Sequence, residues 1–403
     1  MQTRVKFESK KGFHLSGILH QPDVIDVQAY AILAHCFTCT KSLTAGQNIA
    51  ETLSSNGIAT LRFDFTGLGA SKGQFAETSF STNVDDLQSA AAFLTDNYAA
   101  PQIMVGHSLG GTAVLAAAAN IGTVKAVATI GSPASPDHIL HMLEDRLDDI
   151  ASAEETTVTL AGREFKFKQC FVDDVRNYEL DIGTLGKAIM VLHAPFDDTV
   201  PISEATKIFI AAKHPKSFMS LDKADHLLSR AEDSLYAGDV IASWAKRFIV
   251  LDANAKTSDP DGGVTVTGET SNGFYSIVQA GVHRFIADEP LSYGGTNKGP
   301  TPYDYLGAAL GACTSMTLNG YARRKTMTVS QVSVNVSHTR IHAKDCDTCE
   351  TSDGKVDQFT RVISIIGDIT DAERKRMLEI ADKCPVHRTL ENEIRIVTKL
   401  SAL

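Results

Sequence analysis

The sequence predicts two domains, a doubly wound and mostly parallel α/β sheet followed by an α+β domain with an antiparallel sheet and a buried central helix. At 403 residues the chain is longer than a single hydrophobic core usually allows. Residues 1–252 alternate short apolar runs with helical stretches, as parallel strands joined by helices do. Residues 264–403 change to a period of two, which is typical of antiparallel strands. The polar segment 253–263 between them is predicted to be a linker.

Composition and charge limit the classes of partner. Hydrophobic residues make up 43% of the chain and charged residues 21%, which are ordinary values for a globular protein. The formal net charge is −10 and no run of Lys or Arg occurs, so neither nucleic acid nor an anionic membrane is the expected partner. The sequence shows no signal peptide and no stretch of about 18 apolar residues. We therefore expect a soluble, cytoplasmic protein that acts on small molecules and carries no cofactor.

Six apolar runs predict the buried strands of the first domain. In chain order they are AYAILAHCF, IATLRFDF, QIMVGHS, AVATIGS, AIMVLHAP and SFMSLDKADH. Between the fourth and the fifth run lie roughly 50 residues, more than an ordinary sheet connection needs. Residues 135–183 of this segment are therefore predicted to form a lid.

The motif VGHSLGG follows the third apolar run and precedes a helix of small residues. Its Gly-x-Ser-x-Gly pattern is typical of a sharp, strained turn that exposes a serine, here Ser108, at the edge of a sheet. A nucleophilic serine needs a base and an orienting acid, which in this fold follow it as acid and then histidine. Asp197 comes just after the strand AIMVLHA, and His226 after FMSLDKA. Asp198 is a competing candidate for the acid, and Asp197 is favoured.

Five segments, HCFTCTK, FDFTGLGAS, GHSLGG, HAPFDDTVP and ADHLL, together resemble the α/β-hydrolase family. The resemblance implies the α/β-hydrolase fold and a serine hydrolase that cleaves an ester, a thioester or an amide. It also implies that the backbone N–H groups of Phe37 and Leu109 form the oxyanion hole. Cys36 and Ala194 stand where the family usually has glycine. Both are small, so we expect a slightly narrowed loop.

The second domain is predicted to open with a hairpin of VTVTGET and FYSIVQAG, joined through residues 271–273. The helix predicted in PTPYDYLGAALGACTSMTLNGYARRK is apolar on most sides, so the sheet or another subunit is expected to cover it. Two strands, QVSVNVSHTRIHA and DQFTRVISIIGDI, come next. A helix opened by the capping box of Thr370 and Glu373 and a last strand, EIRIVTKL, complete the prediction.

The chain has seven cysteines, an odd number, and structural disulfides are not expected in a reducing compartment. Cys384 precedes Pro385, a preferred first residue of a helix, so a helix N-terminus favours its thiolate. Cys313 lies within the central helix, where the backbone gives no such help. Both remain open as reactive thiols or as buried cysteines that fill space. Cys39 and Cys170 have no partner by spacing and are interpreted as core residues.

The segment ADEPLSYGGTNKGPTPYDYLGAALGACTSMTL, with ADKCPVHRTL after it, resembles the OsmC family, named for osmotically induced protein C. The whole chain resembles proteins that fuse a hydrolase to an OsmC domain. The resemblance implies that Cys313 attacks an organic hydroperoxide and becomes a sulfenic acid, which Cys384 converts to a disulfide. It further implies an acidic residue and an arginine beside the attacking thiolate. Asp304, shorter than the usual glutamate, and Arg284 are the candidates.

The OsmC resemblance also implies partners. Members of the family form intertwined homodimers, which would cover the apolar central helix, and a thiol or dithiol reductant would reopen the disulfide. The predicted function is thus a serine hydrolase fused to a thiol domain that reduces organic hydroperoxides. The alternative is that Ser108 alone performs chemistry and that the second domain is a ligand-binding and dimerisation module.

The segment HTRIHAKDCDTCE holds four potential metal ligands, His338, His342, Cys346 and Cys349. The two histidines share a strand face with three valines, which favours a core or an interface instead. A metal site, a second redox pair and a structural loop all remain open. The structural loop is preferred, so no metal site is predicted.

Overall fold

The computed structural model describes residues 1–23, 25–37, 39–160, 162–249, 263–270, 273–343 and 354–400. The chain divides into two compact units, Met1–Ser258 and Asp259–Leu403. Most of the predicted linker lies outside the described residues, so the domain boundaries given above stay a prediction. Ser271 and Asn272 of the predicted hairpin turn also lie outside them.

An eight-stranded sheet forms the centre of the first unit. The ten strands of this unit are β1 (Gln2–Glu8), β2 (His14–His20), β3 (Ala29–Ala34), β4 (Ile58–Phe63), β5 (Ile103–His107), β6 (Ala126–Ile130), β7 (Thr156–Leu160), β8 (Arg163–Phe167), β9 (Ala188–His193) and β10 (Lys216–Ser220). The sheet order is β1-β2-β4-β3-β5-β6-β9-β10, and all neighbours from β4 to β10 are parallel. The six predicted strands are β3 to β6, β9 and β10, so the doubly wound fold is confirmed.

Helices cover both faces of this sheet. They are α1 (Thr44–Ser55), α2 (Phe80–Asn97), α3 (Leu109–Ala118), α4 (Leu147–Ser152), α5 (Gln169–Asn177), α6 (Ile202–Ala211) and α7 (Ala231–Ala245). Successive residues of β3 enter different cores: Ile32 joins Leu87 of α2, and Leu33 joins Leu53 of α1. Because both faces are covered, the strands read as continuous apolar runs rather than as alternating ones.

The segment between β6 and β9 contains the 3₁₀ helix Pro136–Arg146, α4, the hairpin of β7 and β8, and α5. Its aromatic residues Phe165, Phe167 and Phe171 are buried. They pack against Phe37 and Phe75, which belong to the part of the first unit that precedes this segment in the chain. The segment is therefore a folded cap that is attached to the loop after β3.

The second unit has two antiparallel sheets and a long helix. Its elements are β11 (Val264–Gly268), β12 (Ser276–Ala280), β13 (His283–Ala287), α8 (Pro302–Arg324), β14 (Thr328–His342), β15 (Lys355–Asp368), α9 (Asp371–Ala381) and α10 (Pro385–Glu391). β11 to β13 form one sheet, and β14 and β15 form a hairpin against which α8 packs. Capping boxes start α8 and α9, the second of them at Thr370 and Glu373 as predicted.

The prediction that EIRIVTKL forms a last strand is wrong. Residues 393–400 form no strand with any part of the chain that the structure describes. Ile396 is 85% exposed and Val397 is 63% exposed. A period of two marks an apolar face, but a strand also needs the free edge of a neighbour, and the sequence pattern does not reveal that edge.

The central helix α8 is buried on one side. Leu310, Thr314 and Leu318 face the hairpin, α9 and α10, whereas Leu306 is 44% exposed and Met316 is 73% exposed. A single chain therefore leaves part of the apolar surface of α8 in water. Among the described helices, none combines the length and the apolar character that crossing a bilayer requires.

Candidate active sites

A strained turn between β5 and α3 presents Ser108. Its φ of 55° lies in the left-handed region, which a residue other than glycine adopts only where its surroundings enforce it. A Cβ on Gly106 would lie 2.3 Å from the carbonyl oxygen of Gly110, and a Cβ on Gly110 would lie 2.3 Å from that of His35. Both glycines are therefore required because backbone segments meet there.

The structure brings Ser108, His226 and Asp197 into one hydrogen-bonded chain. His226 Nε2 is 3.1 Å from Ser108 Oγ, and His226 Nδ1 is 2.8 Å from Asp197 Oδ2. The other carboxylate oxygen, Oδ1 of Asp197, accepts from the backbone N–H groups of Thr199 and Val200 at 2.9 and 2.8 Å. In this arrangement the imidazole can take the proton of Ser108 while the carboxylate orients the ring.

Hydrogen bonding keeps Asp197 ionised. Burial by itself would raise the pKa of this carboxyl, but the hydrogen bonds from His226, Val200 and Thr199 outweigh burial and lower the pKa. Among the described residues, the competing candidate, Asp198, accepts only the Thr199 hydroxyl at 3.2 Å, and its side chain is exposed. The geometry thus distinguishes the two adjacent carboxylates.

Two buried histidines support the loops that carry the acid and the base. His107 Nε2 donates to the carbonyl of His226 at 2.7 Å, and His193 Nε2 donates to the carbonyl of Val200 at 2.8 Å. Burial, helped by the nearby imidazole of His226, lowers the pKa of His107 to about 4, so this ring stays neutral. Sequence analysis missed both roles, although each histidine ends an apolar strand.

The predicted oxyanion donors, Phe37 and Leu109, belong to the two backbone segments that meet where Gly110 lies against His35. Leu109 is the first residue of α3, where backbone N–H groups have no partner inside the helix. Phe37 follows β3, and its ring packs on Phe75 and Phe171 with centroid separations of 5.5 and 5.4 Å. The cap between β6 and β9 therefore contacts the loop that carries one of the two donors.

Cys36 and Cys39 form a disulfide on that loop, so the interpretation of Cys39 as a core residue without a partner is wrong. Their Cα atoms are 5.2 Å apart, within the usual range for a disulfide. The Cys-x-x-Cys spacing in HCFTCTK was the available signal, and the sequence analysis missed it when it found no partner for Cys39 by spacing. Cys170 is exposed and free, which also contradicts its assignment to the core.

The second candidate site pairs Cys313 of α8 with Cys384, which directly precedes α10. Both thiols are free, and each affects the pKa of the other. Burial and the hydrogen bond with Cys384 raise the pKa of Cys313. Burial alone would also raise the pKa of Cys384, but hydrogen bonds from Cys313 and from the backbone N–H groups of His387 and Val386 lower it.

Arg361 of β15 is the cation that the structure places beside this pair, and sequence analysis missed it. Its Nη1 donates to Thr314 Oγ1 at 3.0 Å and to the carbonyl of Ala381 at 3.1 Å. Its Nη2 donates to Asp382 Oδ1 at 2.9 Å and lies 2.6 Å from His387 Nδ1. The sequence signal for this role was the position of Arg361 in β15. Residues of this strand alternate between a more exposed and a less exposed side, and the charged Arg361 lies on the less exposed side.

Neither Asp304 nor Arg284 reaches Cys313 within one chain. Asp304 caps α8 by accepting from the N–H of Thr301 at 2.9 Å, and Cys313 lies about 13 Å further along the helix axis. Arg284, exposed on β13, donates to Gln279 Oε1 at 3.2 Å. The groups with the largest effects on the pKa of Cys313 include neither of the two.

The histidines considered for metal have other surroundings. His338 stacks on Tyr303 with a centroid separation of 4.1 Å, and its Nε2 lies 2.8 Å from Asp357 Oδ1. His342 is exposed near the end of β14. Cys346 and Cys349 lie outside the described residues. Within the part of the chain that is described, no three His, Cys, Asp or Glu side chains form a group that could hold a metal.

Comparison with known proteins finds a matching family model for each of the two units. A family model described as "Serine aminopeptidase, S33" matches residues 28–142, and one described as "OsmC-like protein" matches residues 295–399. The crystal structure of the esterase domain of a Rhodothermus marinus protein is 41% identical, covers 62% of this chain and 99% of its own, and has a TM-score of 0.52. The chain is a fusion of an α/β-hydrolase domain and an OsmC domain.

Two curated proteins resemble the α/β-hydrolase domain. The palmitoyl-protein thioesterase ABHD10, mitochondrial, of Rattus norvegicus is 39% identical over 92 residues, which are 23% of this chain and 30% of the rat protein. The uncharacterized protein YfhR of Salmonella typhimurium is 22% identical over 232 residues, or 55% of this chain and 74% of that protein. These matches support an esterase-like or thioesterase-like hydrolase domain.

The close approach at the serine turn of the hydrolase domain predicts a specific sensitivity to Gly→Ala changes. Gly110→Ala forces a methyl group against the His35 carbonyl, which we expect to lower the free energy of unfolding by about 1–3 kcal/mol. Gly122→Ala is the matched control, since no atom lies within 4 Å of the position that its methyl group would take. Urea unfolding of both variants measures the difference. Equal stability of the two variants would contradict the packing described here.

Proposed function

We propose that the protein is a bifunctional enzyme. Its first domain hydrolyses esters or thioesters through Ser108, and its second domain reduces organic hydroperoxides through Cys313 and Cys384. The observation that best supports the proposal, for its hydrolase half, is the hydrogen-bonded chain of Asp197, His226 and Ser108. His226 Nδ1 is 2.8 Å from Asp197 Oδ2, His226 Nε2 is 3.1 Å from Ser108 Oγ, and Ser108 lies in a strained turn.

Each group of the hydrolase site has a defined step. Ser108 Oγ attacks the acyl carbon while His226 Nε2 takes its proton, and Asp197 stabilises the resulting imidazolium. The N–H groups of Leu109 and Phe37 donate to the oxygen that becomes negative. His226 then protonates the departing alcohol or thiol. Water, activated by the same imidazole, hydrolyses the acyl-enzyme and releases the acid.

The surroundings of the site favour an apolar acyl group. Phe196, next to Asp197, is 88% exposed, and Leu227, next to His226, is 42% exposed. In the proposal these two side chains contact the acyl group of the substrate. The thioesterase named among the relatives supports a thioester as one substrate class.

The proposed thiol reaction uses both cysteines of the OsmC domain. The Cys313 sulfur attacks the terminal oxygen of the hydroperoxide, which breaks the O–O bond and gives an alcohol and a Cys313 sulfenic acid. Cys384 then attacks this sulfur, so that a disulfide forms and water leaves. A thiol or dithiol reductant returns both cysteines to the reduced state. The effect of each thiol on the pKa of the other supports this pairing.

Replacing Asp197 by Asn tests the hydrolase assignment. The amide holds the imidazole in the wrong tautomer, and we expect kcat for p-nitrophenyl butyrate hydrolysis to fall by about 10³–10⁴-fold. Asp198→Asn, one residue away and outside the hydrogen-bonded chain, should keep kcat within about 2-fold, as expected of a group that makes no contact in the transition state. Equal losses in the two variants would remove Asp197 from its role.

Two substitutions distinguish the two proposed activities. Cys313→Ser should abolish consumption of cumene hydroperoxide in the presence of dithiothreitol and leave ester hydrolysis unchanged. Ser108→Ala should do the reverse. If the wild-type protein consumes no hydroperoxide under these conditions, the OsmC domain is a binding and dimerisation module, which is the rival interpretation.

The uncovered side of α8 supports a homodimer formed through the OsmC domain. Met316 is 73% exposed there. If a second copy covers this side, Met316→Glu buries a carboxylate and should shift the protein from dimer to monomer in light scattering at micromolar concentration. Leu235→Glu, at an exposed leucine of α7, is the control. A monomeric wild-type protein would end the dimer proposal.

A further inference from the structure

We propose that the Cys36–Cys39 disulfide positions the oxyanion hole of the hydrolase domain, and that a dithiol which reduces this bond slows acyl transfer. The proposal rests on the proposed function, because it takes the N–H group of Phe37 as an oxyanion donor. The disulfide is then a redox site of the hydrolase domain, distinct from the thiol pair of the OsmC domain.

The first argument concerns the peptide unit between Cys36 and Phe37. This unit contains both the carbonyl group of Cys36 and the N–H group of Phe37. A trans peptide unit is planar, so its C=O and N–H bonds point in opposite directions and turn together. Whatever holds the Cys36 carbonyl therefore also sets the direction in which Phe37 donates.

Two donors hold this carbonyl. The N–H of Cys39 donates to it at 3.1 Å, and His35 Nδ1 lies 2.7 Å from it. Burial lowers the pKa of His35, so the ring is neutral, and Nδ1 carries the hydrogen because a carbonyl oxygen only accepts. The disulfide joins Cys36 to Cys39 and thereby keeps the N–H of Cys39 at the carbonyl of Cys36.

Other contacts hold the two ends of this loop. At its start, Gly110 lies against the carbonyl of His35. At its end, the N–H of Lys41 donates to Asp64 Oδ1 at 2.7 Å, and the carbonyl of Lys41 accepts from Arg62 Nη1. Both Asp64 and Arg62 are buried. Because none of these contacts involves sulfur, reduction of the disulfide releases only the part of the loop between them.

The two sulfurs differ in access. Cys36 is 4% exposed, whereas Cys39 is half-buried, so a thiolate of the dithiol attacks the Cys39 sulfur. A mixed disulfide forms, the bond between the two protein sulfurs breaks, and Cys36 leaves as a thiolate that takes up a proton. The second thiol of the reductant then closes the reductant's own disulfide and releases Cys39, which is also protonated. The protein gains two electrons and two protons, and the dithiol loses both.

The expected effect is moderate. Complete loss of an oxyanion donor lowers kcat by about 10²–10³-fold. After reduction His35 still holds the carbonyl of Cys36, and the Phe37 ring still packs on Phe75 and Phe171. The donor is therefore loosened rather than lost, and we expect kcat to fall by about 10-fold. Because the donor acts on a charge that develops in the transition state, kcat and kcat/KM should fall together while KM stays the same.

Hydrolysis of p-nitrophenyl butyrate by the full-length chain, after oxidation in air and after treatment with dithiothreitol, tests the proposal. Peptide mass spectrometry establishes in each sample whether Cys36 and Cys39 are linked. The oxidised protein should have a kcat about 10-fold above that of the reduced protein, and reoxidation should restore it. Cys39→Ser should match the reduced wild type and show no response to dithiothreitol. Cys170→Ser, at an exposed free cysteine, is the matched control and should respond as the wild type does.

Circular dichroism reports whether each variant is folded, and if Cys39→Ser does not fold, the reversible change in the wild type decides. Equal kcat in the linked and the unlinked protein would overturn the proposal and leave the hydrolase function in place. A response of Cys39→Ser to dithiothreitol, a loss confined to KM, or an oxidised protein without the Cys36–Cys39 link would also overturn it. Absence of hydrolysis in both states would instead refute the proposed hydrolase function, and this proposal with it.

Discussion

The contact between the turn after β5 and the loop after β3 determines the geometry of the hydrolase site. Gly110 lies directly against the carbonyl of His35, with no room for a methyl group between them. Because of this contact, the loop that carries Phe37 and the first turn of α3 meet at the position of Ser108. In the proposed mechanism, the nucleophile and the two oxyanion donors are thus positioned by main-chain packing, which costs less conformational entropy on substrate binding than long side chains would.

The sequence predicted this domain well because its signals are local. Strands buried on both faces must be apolar throughout, and a Gly-x-Ser-x-Gly turn must follow one of them. Asp197 and Asp198 are adjacent in the chain, so the choice of the acid depended on a difference of one residue. The hydrogen bond between Asp197 and His226 in the structure supports the choice of Asp197. His107 was missed because its partner, the carbonyl of His226, lies 119 residues away in the chain.

In the OsmC domain, the sequence pattern predicts strands but does not predict which elements pack against them. The period of two located β14 and β15, and it also placed Arg361 on the inward side of β15. However, the pattern does not specify which part of α8 or α10 lies opposite that side. Arg284 was therefore chosen only as a candidate for the arginine that the OsmC resemblance implies. The same limitation explains the predicted strand at residues 393–400, which has an apolar face but no neighbouring strand in the described chain.

In the proposed hydrolase mechanism, Asp197 is stabilised by N–H groups of its own loop and by His226, which becomes a full cation only when it takes the proton of Ser108. The hydrolase site therefore separates charge only during the acyl transfer step. This arrangement suits a serine nucleophile, because the hydroxyl must be activated by its base during attack.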